Sequence, residues 1–355
     1  MPLLPDAETF KRVADGTDGS LQGAILRAAL VPLGVAWGGV TEARNRAYDA
    51  GLLPTRQAPV PVVCVGNLTL GGTGKTPLVA WVARRLAARG RRPAIVSRGY
   101  GAARGTTSDE AAELALLLPG VPHLADRDRA AGARAAAAAG ADCVVLDDGF
   151  QHRRLARDLD LVAIDATDPY GCGHLFPRGL LRERLAGLGR ARAAILTRVS
   201  GVPAARRAEI RARFAAACGS RMPAVWAEAS HAPVGLRAAD GTRDELAWLA
   251  GRRVAAFAGI GNPGAFHATL RGLGADVVAF RAFVDHHAYS RADLAGLEAW
   301  GKGHGAAALV TTLKDLVKLP PSEEIPLRAL EIAMAIESGE EALGRLVDGC
   351  SGERR

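Results

Sequence analysis

A glycine-rich stretch with a single lysine has the residue types that bind phosphate. It reads GNLTLGGTGKTP at positions 66–77, directly after the apolar run VVCV. The strict phosphate-loop pattern G-x-x-x-x-G-K-[ST] requires a glycine where this chain has Thr69. The other glycines let backbone amides approach an anion closely, and Lys75 can bridge β- and γ-phosphates. The stretch therefore predicts a nucleotide site with a variant first turn.

The same stretch predicts which residues bind ATP and Mg²⁺. Pro77 suits the first turn of a helix, whose N-terminal amides and dipole favour an anion. The hydroxyl of Thr76 is expected on Mg²⁺. The predicted ATP-binding residues are Gly71, Gly72, Thr73, Gly74, Lys75 and Thr76.

A second element supplies acids for the metal. The run DCVVLDDG at 142–149 resembles a Walker B strand, whose acid holds magnesium through the water shell of the ion. Both Asp147 and Asp148 are candidates. A strand end capped by an Asp-Gly turn is the alternative interpretation of this run.

The fold that must position these residues is α/β, with the parallel sheet of a P-loop NTPase. Apolar runs at 61–66, 93–97, 142–148, 159–165 and 193–198 alternate with helical stretches, which predicts parallel strands covered by helices on both faces. We predict four regions. They are an N-terminal membrane-associated helical segment (1–55), a P-loop kinase domain (56–230), a linker (231–253) and a smaller α/β domain (254–350) that closes over the active site.

The charge and an early apolar segment bear on partners. The net charge is +8, which suits an anionic partner, but aromatic residues make up only 5% and no basic-aromatic module is present, so we expect no nucleic acid.

Residues 24–40 are apolar except for Arg27 and are interrupted by Pro32. They predict a helix in the membrane interface with Trp37 as its anchor. A helix packed in the core is the alternative.

Three comparisons of motifs narrow the class. The chain has no N-K-x-D tetrapeptide, which GTPases use to bind their base, and Leu70 stands where ATPases of the ParA/MinD type have a signature lysine. The loop is instead very similar to that of the tetraacyldisaccharide 4′-kinases, also called lipid A 4′-kinases. Further segments resemble that family in the same order: SRGYG (97–101), SDE (108–110), DDGFQHR (147–153), LRE (181–183), AGIGNP (258–263), DHH (285–287) and TTLKDLVKL (311–319).

The resemblance implies an activity and roles for residues. The family transfers the γ-phosphate of ATP, with Mg²⁺, to the 4′-hydroxyl of an acylated glucosamine disaccharide 1-phosphate at the cytoplasmic face of the bacterial inner membrane. It implies that Asp109 is the catalytic base and that His286 forms a dyad with it, beside Lys75. It also implies that Glu110 supports the magnesium shell. The substrate contacts implied by the resemblance are Tyr100, Arg129, Arg182 and Glu183.

The sequence thus predicts a peripheral membrane kinase, expected to be a monomer. Two other functions are weighed against it. One is a membrane-associated P-loop ATPase switch of the ParA/MinD type, which would dimerise with ATP and phosphorylate nothing. The other is a kinase for a water-soluble sugar or nucleoside, for which the apolar run at 24–40 would have no purpose.

Overall fold

The computed structural model describes residues 7–99, 109–285, 287–320, 322 and 324–350. Its helices are α1 (Ala7–Asp15), α2 (Leu21–Asp49), α3 (Lys75–Ala88), α4 (Asp109–Leu117), α5 (Arg129–Ala138), α6 (Ala204–Cys218), α7 (Pro263–Gly272), α8 (Arg291–Gly303), α9 (Leu313–Leu316) and α10 (Glu340–Gly349). Its strands are β1 (Val62–Asn67), β2 (Pro93–Ser97), β3 (His123–Ala125), β4 (Cys143–Asp147), β5 (Leu159–Asp165), β6 (Ala193–Thr197), β7 (Val225–Arg237), β8 (Arg243–Asp244), β9 (Arg253–Ala258), β10 (Asp276–Ala282), β11 (Ala308–Thr312) and β12 (Leu327–Ser338).

The described residues form two compact units. Unit 1 contains those in the ranges 1–99, 118–231 and 334–355, and unit 2 contains those in 100–117 and 232–333. Strands β7 and β12 pass from one unit to the other along the chain. Helix α4 belongs to unit 2, although its neighbours in sequence belong to unit 1.

Unit 1 is built on a parallel sheet with the strand order β7-β6-β5-β1-β4-β2-β3. Every neighbouring pair in this order is parallel. Strands β1, β2, β4 and β6 are buried at every position, which requires cover on both faces of the sheet. The α/β class and the parallel sheet predicted from the apolar runs are therefore confirmed.

Strand β1 lies between β4 and β5, where the strand order changes direction. In open α/β sheets, ligands bind outside the carboxyl ends of the strands at such a switch point. The glycine-rich loop begins there, at the end of β1. Its neighbours at the same edge are the residues that follow β4, β5 and β6.

Unit 2 has its own parallel strands, in the order β10-β9-β11-β12, and its own apolar core. The segment 231–253, predicted to be a linker, is folded instead. It contains the end of β7, which pairs antiparallel with β8, and a 3₁₀ turn at Leu246–Leu249. Leu236 and Leu249 are buried in the core of unit 2, which explains why this segment is ordered despite its polar composition.

Helix α2 is longer than the apolar run that predicted it. It extends from Leu21 to Asp49 with Pro32 inside it, and Ser20 caps its N-terminus by accepting the amide of Gly23. By length and composition alone it could cross a membrane. Of the ten large apolar side chains exposed in the described residues, seven lie in this helix: Leu21, Ile25, Val31, Leu33, Val35, Trp37 and Val40.

Candidate active site

The first turn of the glycine-rich loop is extended rather than tight. Thr69 forms an antiparallel bridge with Leu181, and the amide of Leu70 donates to the carbonyl of Leu180 at 2.7 Å. The amide of Arg182 returns a bond to the carbonyl of Leu68 at 2.8 Å. Extended backbone does not need glycine, so the segment 180–182 explains why threonine replaces the consensus residue.

The second half of the loop forms an anion-binding helix start. Gly74, the residue before α3, has φ +79°, a conformation that L side chains rarely adopt, and no side chain caps the helix. The first amides of α3 therefore point out of the helix without a side-chain acceptor, as in sites for phosphate. Two bonds to Thr73 hold the loop: Asn67 Nδ2 donates to its hydroxyl at 3.0 Å, and Thr197 Oγ1 donates to its carbonyl at 2.8 Å.

Two acids lie at the carboxyl end of β4, near the lysine of the loop. Asp147 ends the strand and is buried, and Asp148 turns the chain with φ +51°. Lys75 Nζ lies 3.5 Å from Asp148 Oδ1, and Arg182 Nη1 lies 2.9 Å from both carboxylate oxygens. Burial raises the pKa of Asp148, but the two cations outweigh it and hold the pKa below its ordinary value. This carboxylate is therefore ionised and paired.

Glu183 is the centre of a buried polar network. Arg190 donates to both of its oxygens, at 2.7 and 2.8 Å. Asn45 donates to Oε2 and Gln151 donates to Oε1, each at 3.0 Å. With 4% exposure and four donors, this carboxylate is better suited to hold other residues than to bind substrate. Its direct contact with substrate stays a prediction.

Arg129 is a buried cation at the start of α5. Asp128 caps that helix by accepting the amides of Ala130 and Ala131. Burial lowers the pKa of Arg129, and Asp148 and Asp147 oppose this shift, so the guanidinium lies in the field of both acids. Its Nε has no hydrogen-bond partner among the described residues. The pKa of His152 falls to about 4 because of burial and the charge of Arg129.

The other predicted residues lie elsewhere. Asp109 and Glu110 form the first turn of α4 in unit 2, where Asp109 is half-buried and Glu110 is exposed. Tyr100 and His286 lie outside the described residues. The described part of the chain has no group of three His, Cys, Asp or Glu side chains that could hold a metal ion. The predicted magnesium donors in unit 1 are accordingly one hydroxyl, of Thr76, and the two adjacent acids.

Sequence reasoning missed residues on both sides of the loop. Gln151 links the carbonyl of Asn67 (2.8 Å) to Glu183, and its position within DDGFQHR was the available signal. Arg198, which follows β6, and His231, in the middle of β7, lie against the loop from the other side, and no motif pointed to them. Only the folded chain brings these two residues to the glycines.

Helix α2 is docked on the same loops. Trp37, predicted to be a membrane anchor, donates its indole N–H to the carbonyl of Arg182 at 2.9 Å and packs edge-on against Phe176, with ring centroids 5.6 Å apart. Arg44 donates to the carbonyl of Gln151 at 2.7 Å. The helix is thus attached to the segment that follows Asp148 and to the segment of Arg182, whose side chain pairs with Asp148, and Trp37 is part of that attachment.

Comparisons with known proteins agree on one family. A family model described as tetraacyldisaccharide-1-P 4′-kinase matches residues 26–349. A tetraacyldisaccharide 4′-kinase of Anaeromyxobacter dehalogenans (strain 2CP-C) is 45% identical over 331 residues, which cover 88% of this chain and 85% of the relative. One of Geobacter metallireducens is 41% identical, over 84% of this chain and 90% of the relative. The crystal structure of LpxK from Aquifex aeolicus in complex with ATP has a TM-score of 0.74 and 31% identity, and the match covers 92% of this chain and 100% of that one.

Proposed function

Because the chain belongs to the tetraacyldisaccharide-1-P 4′-kinase family, we propose that it transfers the γ-phosphate of ATP to the 4′-hydroxyl of a tetraacylated glucosamine disaccharide 1-phosphate, a step of lipid A biosynthesis. The observation in this chain that carries the proposal is the position of Lys75. It lies in the first turn of α3, after a left-handed glycine and 3.5 Å from the acid that follows β4. In phosphoryl-transfer sites of the P-loop class, a lysine at this place in the first helical turn binds the β- and γ-phosphates.

The nucleotide side of the reaction is assigned to unit 1. The amides of residues 71–76 would bind the phosphates. When the nucleotide binds, the ammonium of Lys75 would give up part of its contact with Asp148 and contact the outer phosphates instead. Hydroxyl and carboxylate oxygens are the donors that Mg²⁺ prefers, so Thr76 and Asp147 fit this ion. Asp148, already paired with Lys75 and Arg182, would orient those cations. When bound, Mg²⁺ neutralises charge that develops on the outer phosphates.

The acceptor side is proposed from the family resemblance. Asp109 would accept the proton of the 4′-hydroxyl. At the same time the hydroxyl oxygen would bond to the γ-phosphorus, and the bond between the γ-phosphorus and the oxygen of ADP would break. The roles of His286, Tyr100 and Glu110 stay predictions from the same resemblance. Arg129 and Arg182 are cations around Asp148 that could bind phosphate groups, and Arg can do so with two donors at once.

A membrane surface is proposed as the place of the reaction. The acceptor carries acyl chains, and the exposed apolar side chains of this unit are concentrated on α2. A helix that is docked by polar contacts at one side and exposes apolar side chains at the other suits the plane of the bilayer interface. We place the protein at the cytoplasmic face of the inner membrane, as a peripheral monomer.

The proposal is tested by transfer of labelled γ-phosphate from ATP to a tetraacyl disaccharide 1-phosphate in detergent micelles. Three proteins are compared: the wild type, Asp109→Ala, and Glu340→Ala as a control that removes an exposed acid from the first turn of α10. We expect the wild type and Glu340→Ala to label the lipid equally. Asp109→Ala is expected to be slower by roughly 10²–10⁴-fold, the usual contribution of a general base.

The alternatives give different results. Lipid labelling that Asp109→Ala leaves intact would keep the kinase and reject this base. ATP binding that produces a dimer without labelled lipid would support the ATPase switch. Labelling of a deacylated sugar at the same rate, without detergent, would support a kinase for a water-soluble acceptor.

A further inference from the structure

Arg198, which follows β6, has a backbone conformation that side chains usually avoid. Its φ is +56°, and it is one of three described residues other than glycine with positive φ, together with Asp148 and Cys172. Strained conformations of this kind persist where the surrounding structure imposes them, and they cluster at functional sites. Asp148, at the corresponding place after β4, is already part of the candidate site.

The conformation directs the Arg198 side chain onto the phosphate loop. Its Nη2 lies 3.9 Å from the place where a Cβ on Gly72 would be. Its Nη1 donates to Oδ2 of Asp165, the last residue of β5. The side chain is 32% exposed, so the guanidinium, which has five N–H donors, keeps a face open to solvent.

The surrounding strands hold this cation at a fixed place. Thr197, the preceding residue, donates its hydroxyl to the carbonyl of Thr73 at 2.8 Å, which ties the end of β6 to the loop. Asp165 also accepts the amide and the hydroxyl of Thr167, at 2.9 and 2.7 Å. The carboxylate that orients Arg198 is therefore itself oriented.

His231 contributes no competing charge here. Its Nε2 lies 2.5 Å from the place where a Cβ on Gly74 would be. Burial and the charge of Arg198 lower its pKa to about 4, so the imidazole is neutral at neutral pH. Arg198 therefore supplies a positive charge on this side of the loop that His231 does not oppose.

The strand order separates Arg198 from Lys75. Lys75 pairs with the acid after β4, on one side of β1, whereas Arg198 follows β6, on the other side. A phosphate chain bound on the loop between them would meet a cation from each side. We propose that Arg198 binds the outer phosphates of the nucleotide as a second cation, with Asp165 as its positioning residue; the inference rests on the proposed function.

The test is the affinity of the full-length protein for ATP, ADP and AMP, measured by titration calorimetry. Arg198→Ala is expected to bind ATP and ADP roughly 10- to 100-fold more weakly, the usual effect of losing a charge-assisted contact, and AMP as before. Arg198→Lys keeps the positive charge but not the two parallel donors of the guanidinium, so it should lose less affinity for ATP and ADP than Arg198→Ala does. Asp165→Asn should weaken ATP binding while leaving AMP binding unchanged, which a merely structural role would not do.

A matched control is available at the opposite edge of the same sheet. Arg91 pairs with Asp142 at 3.1 Å with similar exposure, 24% against 32% for Arg198. Arg91→Ala should lower the unfolding temperature without changing nucleotide affinity. If Arg198→Ala and Arg198→Lys bind ATP as the wild type does, or if AMP loses as much affinity as ATP, the inference is overturned. If the wild type binds no ATP, the proposed function itself fails.

Discussion

Replacing Glu183 by glutamine should destabilise the protein far more than its small chemical change suggests. Glutamine keeps the shape of the side chain but replaces one acceptor oxygen by an amide group that only donates. Arg190, Asn45 and Gln151 all donate to this carboxylate. In the variant, a donor must face a donor at one or more of these contacts, and Arg190 loses its counter-charge.

The size of the effect follows from burial. The side chains of Arg190 and Glu183 are 15% and 5% exposed. Removing one partner of a buried pair costs about 3–5 kcal/mol, because the other charge is left uncompensated. In the variant, the guanidinium carbon of Arg190 still lies over the Phe150 ring, 4.5 Å from the ring centroid. Because this cation–π contact remains, we expect a cost at the lower end of that range. We therefore expect Glu183→Gln to decrease the free energy of unfolding by about 3 kcal/mol, which corresponds to a decrease in unfolding temperature of roughly 6–12 °C.

The assay is thermal unfolding of Glu183→Gln beside Glu209→Gln. Glu209 accepts from Arg206 at 2.7 Å on the surface of α6, with side chains 59% and 43% exposed. An exposed pair of this kind contributes about 0–1 kcal/mol, so the control should unfold within about 4 °C of the wild type. Equal unfolding temperatures for the two variants would refute the assignment of Glu183 as a buried hub.

Two further predictions concern pH and the membrane. The folded pKa of His231 is about 4, below its unfolded value of 6.5, so stability is complete above pH 6.5 and is lost as pH falls towards 4. In His231→Gln, the decrease in the free energy of unfolding between pH 7 and pH 4.5 should be smaller by up to about 3 kcal/mol, as measured by denaturant titrations at the two pH values. An unchanged pH dependence would contradict the burial of a neutral imidazole. The second variant replaces four exposed apolar residues of α2 by glutamine: Ile25, Leu33, Val35 and Val40. It should bind phospholipid vesicles roughly 100-fold more weakly, or weaker still, with an unchanged unfolding temperature. Undiminished vesicle binding would show that another surface contacts the membrane.

The fold of the nucleotide site could be predicted because its signals are local. The apolar run before the loop, the glycines and Pro77 together indicate a strand, a turn and a helix start. Strand β1 lies close to the predicted run at 61–66, and α3 begins at Lys75, two residues before Pro77. The acids at the end of β4 could be predicted in the same way, because they directly follow an apolar run. Lys75 and Asp148 lie together because each follows the carboxyl end of a strand, and β1 and β4 are parallel neighbours. The sequence predicted both residues as site residues, whereas their contact is seen only in the structure.

The remaining features depend on contacts that are distant in sequence. The extent of α2 beyond residue 40 could not be read from its polar composition, because Arg44 and Asn45 are ordered by contacts with Gln151 and Glu183. The segment 231–253 looked like a linker, because the pairing of Arg237 with Glu331, which allows both to be buried, is invisible in the sequence.

The pairing of residues 68–70 with 180–182 has a consequence for protein engineering. Phosphate loops are commonly treated as portable modules whose sequence alone specifies their shape. Here the first turn is held by backbone bonds to a segment more than a hundred residues away. Grafting the peptide GNLTLGGTGKT onto another strand and helix would transfer the glycines but not the bonds that keep Thr69 extended. A successful graft would have to carry both segments, or restore glycine at the first position.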